Sequence, residues 1–184
     1  MNILYALLGE HGTLRHQLEV LRLTAPQYSE EKLGAATLAL AEAIENHAGL
    51  EDELLFEALV ASGKMPAGPV EAMRFEHRQI ESLLGQILAP AGEAGRPDPQ
   101  RTVLRLVETV RHHFSHEEHA LFPLAMRILS PARLEDIGSR WAERRGVEIG
   151  ALDSALVARK ADEAGSPREE GSSEPADPTI GHRP

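Results

Sequence analysis

Residues 44–56 read IENHAGLEDELLF and residues 110–122 read VRHHFSHEEHALF, so the chain carries one pattern twice, 66 positions apart. Each copy holds a histidine, a glutamate four residues later, and then a Leu-Phe pair. A chance overlay of two Leu-rich helices would not match both the histidines and the glutamates, so the shift predicts a helix pair that is duplicated. The matching positions are Glu10/Glu76, His11/His77, Leu18/Leu84, Leu38/Leu104, Leu40/Leu106, Glu42/Glu108, His47/His113, Glu51/Glu117, Leu55/Leu121 and Phe56/Phe122.

Four segments of the chain carry apolar residues at helical spacing on one face. Stretches with Gly or Pro at residues 24–30, 62–68 and 90–99 separate them and predict turns. Short connections between long amphipathic helices make consecutive helices antiparallel, so the predicted fold is all-α, an up-down-up-down four-helix bundle. The apolar stripes are Leu4, Leu7, Leu14, Leu18 and Leu21; Leu40, Ile44, Leu54, Leu55 and Ala58; Val70, Met73, Ile80, Leu84 and Ile87; and Leu106, Val110, Leu121 and Leu124.

The chain beyond the fourth helix differs in composition from the bundle. A Ser-Pro pair at residues 130–131 is a typical helix start, and apolar residues recur over residues 134–141, which predicts a short C-terminal fifth helix. We therefore expect a domain over residues 1–145 and a short helical extension over residues 146–160. Residues 161–184 are rich in Asp, Glu, Gly, Ser and Pro, which predicts a disordered acidic tail that could dock a protein partner.

The composition excludes several classes of function. A chain of 184 residues suits one domain, and its net charge of −10 argues against a nucleic-acid partner. The absence of cysteine excludes disulfides, zinc–thiolate sites and cysteine nucleophiles, and it fits a reducing compartment. The sequence has no run of 18 uncharged apolar residues and no basic leader before its apolar N-terminus. We therefore expect a cytoplasmic protein without a membrane span.

The repeated histidines are expected at one level of the bundle. Residues equidistant from the turn of an antiparallel pair share a level, and the midpoints between consecutive histidines fall in the predicted turns, at positions 29, 62 and 95. Each histidine lies three or four residues from members of its apolar stripe, so it points inward. The two repeated glutamates follow one turn later on the same face. The predicted layer consists of His11, His47, Glu51, His77, His113 and Glu117.

Two glutamates that point into an aliphatic core need a cationic partner, because an unpaired buried carboxylate costs several kcal/mol. Imidazole nitrogens and carboxylate oxygens suit first-row transition metals. Six such groups are too many for one tetrahedral zinc and fit two metal ions bridged by the carboxylates. They would fill about eight of roughly twelve positions on two octahedral ions, which leaves positions open for small ligands. Ferritin-like di-iron bundles show the inverse pattern, with lone glutamates and Glu-x-x-His pairs.

The arrangement resembles the hemerythrin-like (HHE cation-binding) family over about residues 1–145. The shared features are a lone histidine on the first and third helices and His-x-x-x-Glu, followed by Leu-Phe, on the second and fourth. The resemblance implies a cofactor of two non-haem iron ions (Fe2+/Fe3+) with an oxo or hydroxo bridge, in a protein that binds, senses or turns over O2, NO or peroxide. The implied ligands are the terminal histidines His11, His47, His77 and His113 and the bridging carboxylates Glu51 and Glu117.

The third helix departs from the pattern of the oxygen-carrying members of that family. Those proteins have a second histidine there, in a His-x-x-x-His pair, and an aspartate on the fourth helix with one more intervening residue. Here Met73 and Glu81 stand four residues to either side of His77. The difference argues against reversible O2 carriage and favours peroxide or NO chemistry. Glu81 is either an additional ligand or an exposed helical residue.

Three classes of function remain open on the residues alone. The first is an enzyme that disproportionates peroxide or turns over NO. The second is an iron- or oxygen-responsive regulatory module without turnover, in which the state of the metal changes the stability of the bundle. The third is a purely structural helical bundle, which would hold no metal.

Five further residues near the predicted layer have two readings each. His112, His116 and His119 form a stripe that could bind zinc by itself, but the stripe has no counterpart in the first repeat. We therefore expect these histidines to be mostly solvated, with His116 nearest the site because it precedes Glu117. Glu10 and Glu76 are repeated but lie off the inward face. They are either surface residues in salt bridges or partners that orient the ligands.

Overall fold

The computed structural model describes residues 1–66, 68–90 and 95–148, and all regular structure in these ranges is helical. Two π-helical segments, Glu51–Phe56 and Glu117–Leu121, join α2 to α3 and α5 to α6, so these helices form continuous rods. A short 3-10 turn, Ala25–Gln27, follows the first helix. The α-helices are α1 Ile3–Thr24, α2 Glu30–Leu50, α3 Glu57–Ala61, α4 Pro69–Leu88, α5 Pro99–His116, α6 Phe122–Ile128 and α7 Pro131–Arg145.

The helices begin where the sequence offers capping side chains. Asn2, Ser29, Asp98 and Ser130 each accept a hydrogen bond from a backbone N–H in the first turn of the helix that follows. Such caps satisfy amide groups that have no partner within the helix. Proline occupies the first position of α4, α5 and α7, where its fixed φ suits a helix start. The predicted turns and the predicted start of the fifth helix therefore agree with the structure.

The rods pack as a four-helix bundle with a fifth helix against it. α1 contacts α2 and α5, and α4 contacts the same two helices, so the four rods form a closed ring. The buried side chains between them are mainly Leu, Ile and Val, as expected for a chain with few aromatic residues. α7 packs against α1. The predicted all-α bundle with a short fifth helix is thus confirmed.

The C-terminal predictions can be compared with the structure only in part. α7 ends at Arg145, where Gly146 adopts a left-handed conformation with φ 63°. From residue 149 onward, the predicted extension and the predicted acidic tail lie outside the described residues. Across the described ranges, each helix is too short or too polar to cross a lipid bilayer.

The two π-helical segments are features that the periodicity of the sequence did not indicate. Each begins at the glutamate of the repeated motif, at Glu51 and at Glu117. The N–H of Glu57 bonds to the carbonyl of Asp52, and the N–H of Phe122 bonds to the carbonyl of Glu117, both five residues back. π segments of this kind are rare and occur mostly as single turns at functional sites.

Gly138 allows α7 to approach the beginning of α1 closely. A Cβ atom at this position would overlap the carbonyl oxygen of Met1 and lie 2.9 Å from the amide nitrogen of Ile3. Backbone atoms cannot move aside as a flexible side chain can. The helix therefore docks where it does because position 138 has no side chain.

We expect Gly138→Ala to destabilise the protein by about 1–3 kcal/mol, the usual cost of overpacking. Gly85→Ala is the matched control, because Gly85 is exposed within α4 and its Cβ would meet nothing within 4 Å. The control should be neutral or stabilising by up to about 1 kcal/mol, since alanine favours a helix over glycine. Urea denaturation of both variants measures the difference, and equal stabilities would refute the close-docking account.

Candidate metal centre

The structure brings the six predicted side chains together in the middle of the bundle. Five of them have at most 1% of their surface exposed, and His77 is nearly as buried, with 9% of its side chain exposed. Their donor atoms form two overlapping groups, and within each group the atoms lie within 4.8 Å of one another. Glu51 and Glu117 belong to both groups. The first group adds His11 and His47, and the second adds His77 and His113.

The Nε2 atoms of the four imidazoles face the two carboxylates. Nε2 of His11 lies 3.2 Å from Oε2 of Glu117, and Nε2 of His113 lies 3.6 Å from the same oxygen. Nε2 of His47 and of His77 lie 3.5 Å and 3.6 Å from Oε2 of Glu51. Each carboxylate therefore lies between imidazoles of both groups.

The donor atoms at the centre lack partners within the protein. Nε2 of His11, Nε2 of His47 and all four carboxylate oxygens of Glu51 and Glu117 are buried without a hydrogen bond. Buried polar atoms are normally satisfied, so six unsatisfied atoms at one point indicate a missing partner. The Nε2 atoms of His77 and His113 lie 3.1 Å apart. Two nitrogens bound at about 2.1 Å and at right angles on one ion lie about 3.0 Å apart. The residues therefore fit metal ions.

A second layer of carboxylates orients the imidazoles. Each Nδ1–H donates to an acidic side chain, which can only accept when ionised, and this leaves each Nε2 free to face the centre. The pairs are His11 with Glu118 at 2.7 Å, His47 with Glu10 at 2.9 Å, His77 with Asp52 at 3.4 Å and His113 with Glu76 at 3.0 Å.

These four contacts form a closed circle around the bundle. Glu10 on α1 holds the histidine of α2, and Asp52, in the π segment after α2, holds that of α4. Glu76 on α4 holds the histidine of α5, and Glu118 in the second π segment holds that of α1. Each acidic residue is the immediate neighbour of an inward-pointing residue. Because consecutive helical positions differ by about 100°, one side chain points inward and the next reaches the adjacent helix.

Two of these orienting residues were missed by the sequence analysis. Glu10 and Glu76 stood out as repeated positions that could either form surface salt bridges or orient the central histidines. In the structure they contact His47 and His113, as the second interpretation predicts. Asp52 and Glu118 are also related by the shift of 66, but one is aspartate and the other glutamate, so they did not appear among the identities. Matching by charge at the same shift would have found them.

Cations outside the second layer balance its charge. Arg15 lies 2.8 Å from Glu118, and Arg74 lies 3.1 Å from Asp52. The guanidinium of Arg145 pairs with Glu10, to which the buried Trp141 also donates through Nε1 at 3.4 Å.

Glu76, the fourth carboxylate of the second layer, has a histidine as its outer neighbour. His116, which is 41% exposed, lies 3.0 Å from Glu76 through its Nδ1 atom. His116 thus contacts the second layer, as its position beside Glu117 suggested. The other two histidines of that stripe, His112 and His119, are exposed, and Nδ1 of His119 contacts the carbonyl of Ser115 at 2.8 Å.

The electrostatics of the centre favour a bound cation. Burial raises the pKa of Glu117 well above its ordinary value, and the charge of the facing Glu51 acts in the same direction. Burial would raise the pKa of Glu51 as well, but His47 and His77 outweigh it and lower that pKa to about 2. Burial also lowers the pKa of His11 to about 4, so this imidazole stays neutral and available as a ligand.

The two residues on either side of His77 have different surroundings. Met73 is buried, with 1% of its surface exposed. Glu81 is exposed and lies on the wall of a cleft. Neither residue belongs to the two groups of converging donor atoms found in the described part of the chain.

The comparison with known families agrees with this geometry. A family model described as the hemerythrin HHE cation-binding domain matches residues 2–125, which is more than half of the chain and includes all six central side chains. No curated protein and no solved structure matches the chain. The resemblance read from the repeated motif is confirmed. The chain belongs to the hemerythrin HHE cation-binding family.

Proposed function

We propose that the centre holds two non-haem iron ions and that the protein binds NO, O2 or peroxide there. His11 and His47 would hold one ion, His77 and His113 would hold the other, and Glu51 and Glu117 would contribute to both. The observation that carries this proposal is the set of unsatisfied buried atoms that converge as two groups with two shared carboxylates. A single ion would leave two of the four imidazoles without a partner.

Iron is proposed rather than a softer metal because of the donor set and the family. The centre contains nitrogen and oxygen donors only, and the whole chain has no cysteine. Imidazole with carboxylate suits iron, manganese, cobalt and zinc, whereas copper(I) prefers sulfur. With about eight of roughly twelve octahedral positions filled by protein, positions remain for an exogenous ligand.

The chain's own residues set the conditions under which such a centre works. Iron bound there would supply a Lewis-acid and redox centre for a small ligand. The second-layer carboxylates hold each imidazole in the tautomer that leaves Nε2 unprotonated. The rings of Phe56 and Phe122 stack against His77 and His11, each with centroids 5.7 Å apart, and exclude water from those sides of the centre.

NO or peroxide is favoured over the carriage of O2. The family's oxygen carriers use a five-histidine set, and neither residue four positions from His77 is a histidine here, since Met73 is buried and Glu81 is exposed. A thioether is a weak, soft donor and a poor substitute for imidazole on iron. The ion between His77 and His113 would therefore keep one more open position than in a carrier.

Regulation is a second candidate, and the same buried carboxylates support it. Without a cation, the centre holds two facing carboxyl groups in an aliphatic core, which costs free energy. Loss of the metal would therefore lower the stability of the whole bundle. Rapid oxygen evolution from added peroxide would instead favour the enzymatic alternative.

The first prediction from this proposal concerns metal content. Protein purified without air should contain about two iron ions per chain, as two-metal sites do. The Glu117→Ala variant should retain almost none, because it removes a bridge to both ions. His11→Ala should reduce the content to about one, because the second group keeps all its donors. Elemental analysis by mass spectrometry provides the measurement.

His16→Ala is the matched control for these variants. His16 lies on the same helix as His11 but is exposed, so its loss should leave the metal content unchanged. Wild-type protein without bound metal, or a Glu117→Ala variant with full metal content, would contradict the proposed centre.

The second prediction concerns chelation. Removal of the metal should lower the melting temperature by about 10 °C, since binding at a thousandfold excess over Kd stabilises by about 4 kcal/mol and each kcal/mol is worth about 2–4 °C at this size. Glu117→Gln should have the melting temperature of the chelated wild type. Burial raises the pKa of Glu117, so this side chain is protonated without metal, and the amide imitates the protonated carboxyl group. Chelator should not change the melting temperature of this variant. If chelation does not change the melting temperature of the wild type, the metal does not stabilise the bundle.

The third prediction concerns the second layer of carboxylates. Asp52→Asn and Glu118→Gln should each weaken metal binding by about 10–100-fold, the usual effect of losing such a partner. Glu53→Gln is the control, because Glu53 is exposed, pairs with Arg144 and touches no histidine of the centre. Competition with a chromophoric chelator measures the affinities. If Asp52→Asn and Glu118→Gln bind metal as tightly as the wild type and Glu53→Gln do, these carboxylates do not orient the histidines.

A further inference from the structure

A cleft of about 420 Å³ reaches the centre from one side of the bundle. Its lining includes three of the four central imidazoles, those of His47, His77 and His113, together with apolar side chains such as Leu84 of α4 and Val110 of α5. The imidazole of His11 does not line it. The cleft therefore reaches both imidazoles of the second donor group but only one imidazole of the first.

The position of the cleft follows from one difference between the two repeats. The ring of Phe114, which also lines the cleft, stacks on His11, with centroids 4.0 Å apart and planes 13° apart. The residue that corresponds to Phe114 at the shift of 66 is Ala48, and the residue that corresponds to His11 is His77. Ala48 lines the cleft beside His77. The cleft thus lies where a second phenyl ring would stand if the repeats were alike.

The other aromatic covers of the centre are matched between the repeats. Phe122 stacks on His11 and Phe56 stacks on His77, and these two phenylalanines are themselves related by the shift of 66. In this comparison only the ring of Phe114 lacks a counterpart. Accordingly, 9% of the side chain of His77 is exposed, while the side chain of His11 is fully enclosed.

We propose that exogenous ligands enter through this cleft and bind at the metal position between His77 and His113, and that Ala48 keeps the cleft open. This inference rests on the proposed function, since it needs metal in the centre. It makes the two metal positions unequal. The position between His11 and His47 is closed by Phe114, and the cleft-side position receives the ligand.

The rim of the cleft favours an uncharged ligand. Asp52 and Arg74 lie at the rim and pair with each other at 3.1 Å, so their charges cancel. Glu45, Glu81 and Arg78 are the other charged residues of the lining, and together they leave a slight excess of negative charge. Such a rim does not attract anions. NO and hydrogen peroxide are uncharged, small and able to pass apolar walls, whereas azide or superoxide would be repelled.

The first test fills the cleft by mutation. Ala48→Phe supplies the missing ring, and we expect it to slow the association of NO with the ferrous protein by at least tenfold in stopped-flow absorbance. Its iron content should equal that of the wild type, since no proposed ligand changes. Asn46→Phe is the control, because Asn46 is exposed on the same helix and lies outside the cleft lining. This control should bind NO at the wild-type rate.

The second test leaves the interior unchanged and closes the mouth chemically. The chain has no cysteine, so Glu81→Cys introduces a single thiol on the cleft wall. Metal-loaded protein is compared before and after reaction with N-benzylmaleimide, and we expect NO association to slow by at least tenfold after labelling. Ser82→Cys is the control, since Ser82 is the next residue of α4, is exposed and lies outside this cleft. Labelling there should leave the rate unchanged.

The outcomes separate this inference from the proposed function. Wild-type protein without bound metal would refute the metal centre itself. Wild-type protein with about two ions per chain, and with NO association that neither Ala48→Phe nor labelled Glu81→Cys slows, would refute the cleft as the entry route while the centre stands. If Ala48→Phe fails to fold, the labelled Glu81→Cys protein decides the question alone.

Discussion

The burial of two facing carboxylates is the constraint on which the structure depends. Glu51 and Glu117 lie in an aliphatic core with no hydrogen-bond donor for any of their four oxygens within the protein. In such surroundings a carboxylate is tolerated only beside positive charge, because desolvation alone costs several kcal/mol. Burial lowers the pKa of His11 and of His113, so these two imidazoles supply little of that charge. Burial acts on His77 in the same direction, but Asp52 and Glu51 outweigh it and raise the pKa of His77 to about 9. A cation bound between the donor groups would supply further positive charge, in keeping with the cation-binding family to which the chain belongs.

The rest of the polar network keeps these donors in place. Each ligand histidine is held by a carboxylate from a neighbouring rod, so displacement of one rod disturbs a contact on the next. Arg15, Arg74 and Arg145 then offset the charge of that second layer at the surface. In the two π segments, Glu51 and Glu117 face the centre while their neighbours, Asp52 and Glu118, contact histidines of adjacent rods.

Much of the fold and of the candidate centre could be predicted because the sequence pattern that encodes them is periodic. Helical spacing indicated the rods, Gly and Pro marked the turns, and the repeat placed six donors at one level. The π segments could not be predicted, because one widened turn barely alters the apolar spacing. Asp52 and Glu118 were missed because an overlay by identity does not match an aspartate with a glutamate, although both are acidic. The ligand roles of the six residues and a cytoplasmic location remain predictions.

The duplicated unit explains why the differences between its copies are informative. Symmetric donors would give two equivalent metal positions, and a centre closed equally on both sides would admit nothing. The four central histidines, Glu51, Glu117 and the rings of Phe56 and Phe122 do follow the repeat. Ala48 and Phe114 do not, because Phe114 covers His11 and no ring at position 48 covers His77. The repeat therefore accounts for the matched donors of the proposed metal centre, and the difference between Ala48 and Phe114 accounts for the proposed route to it.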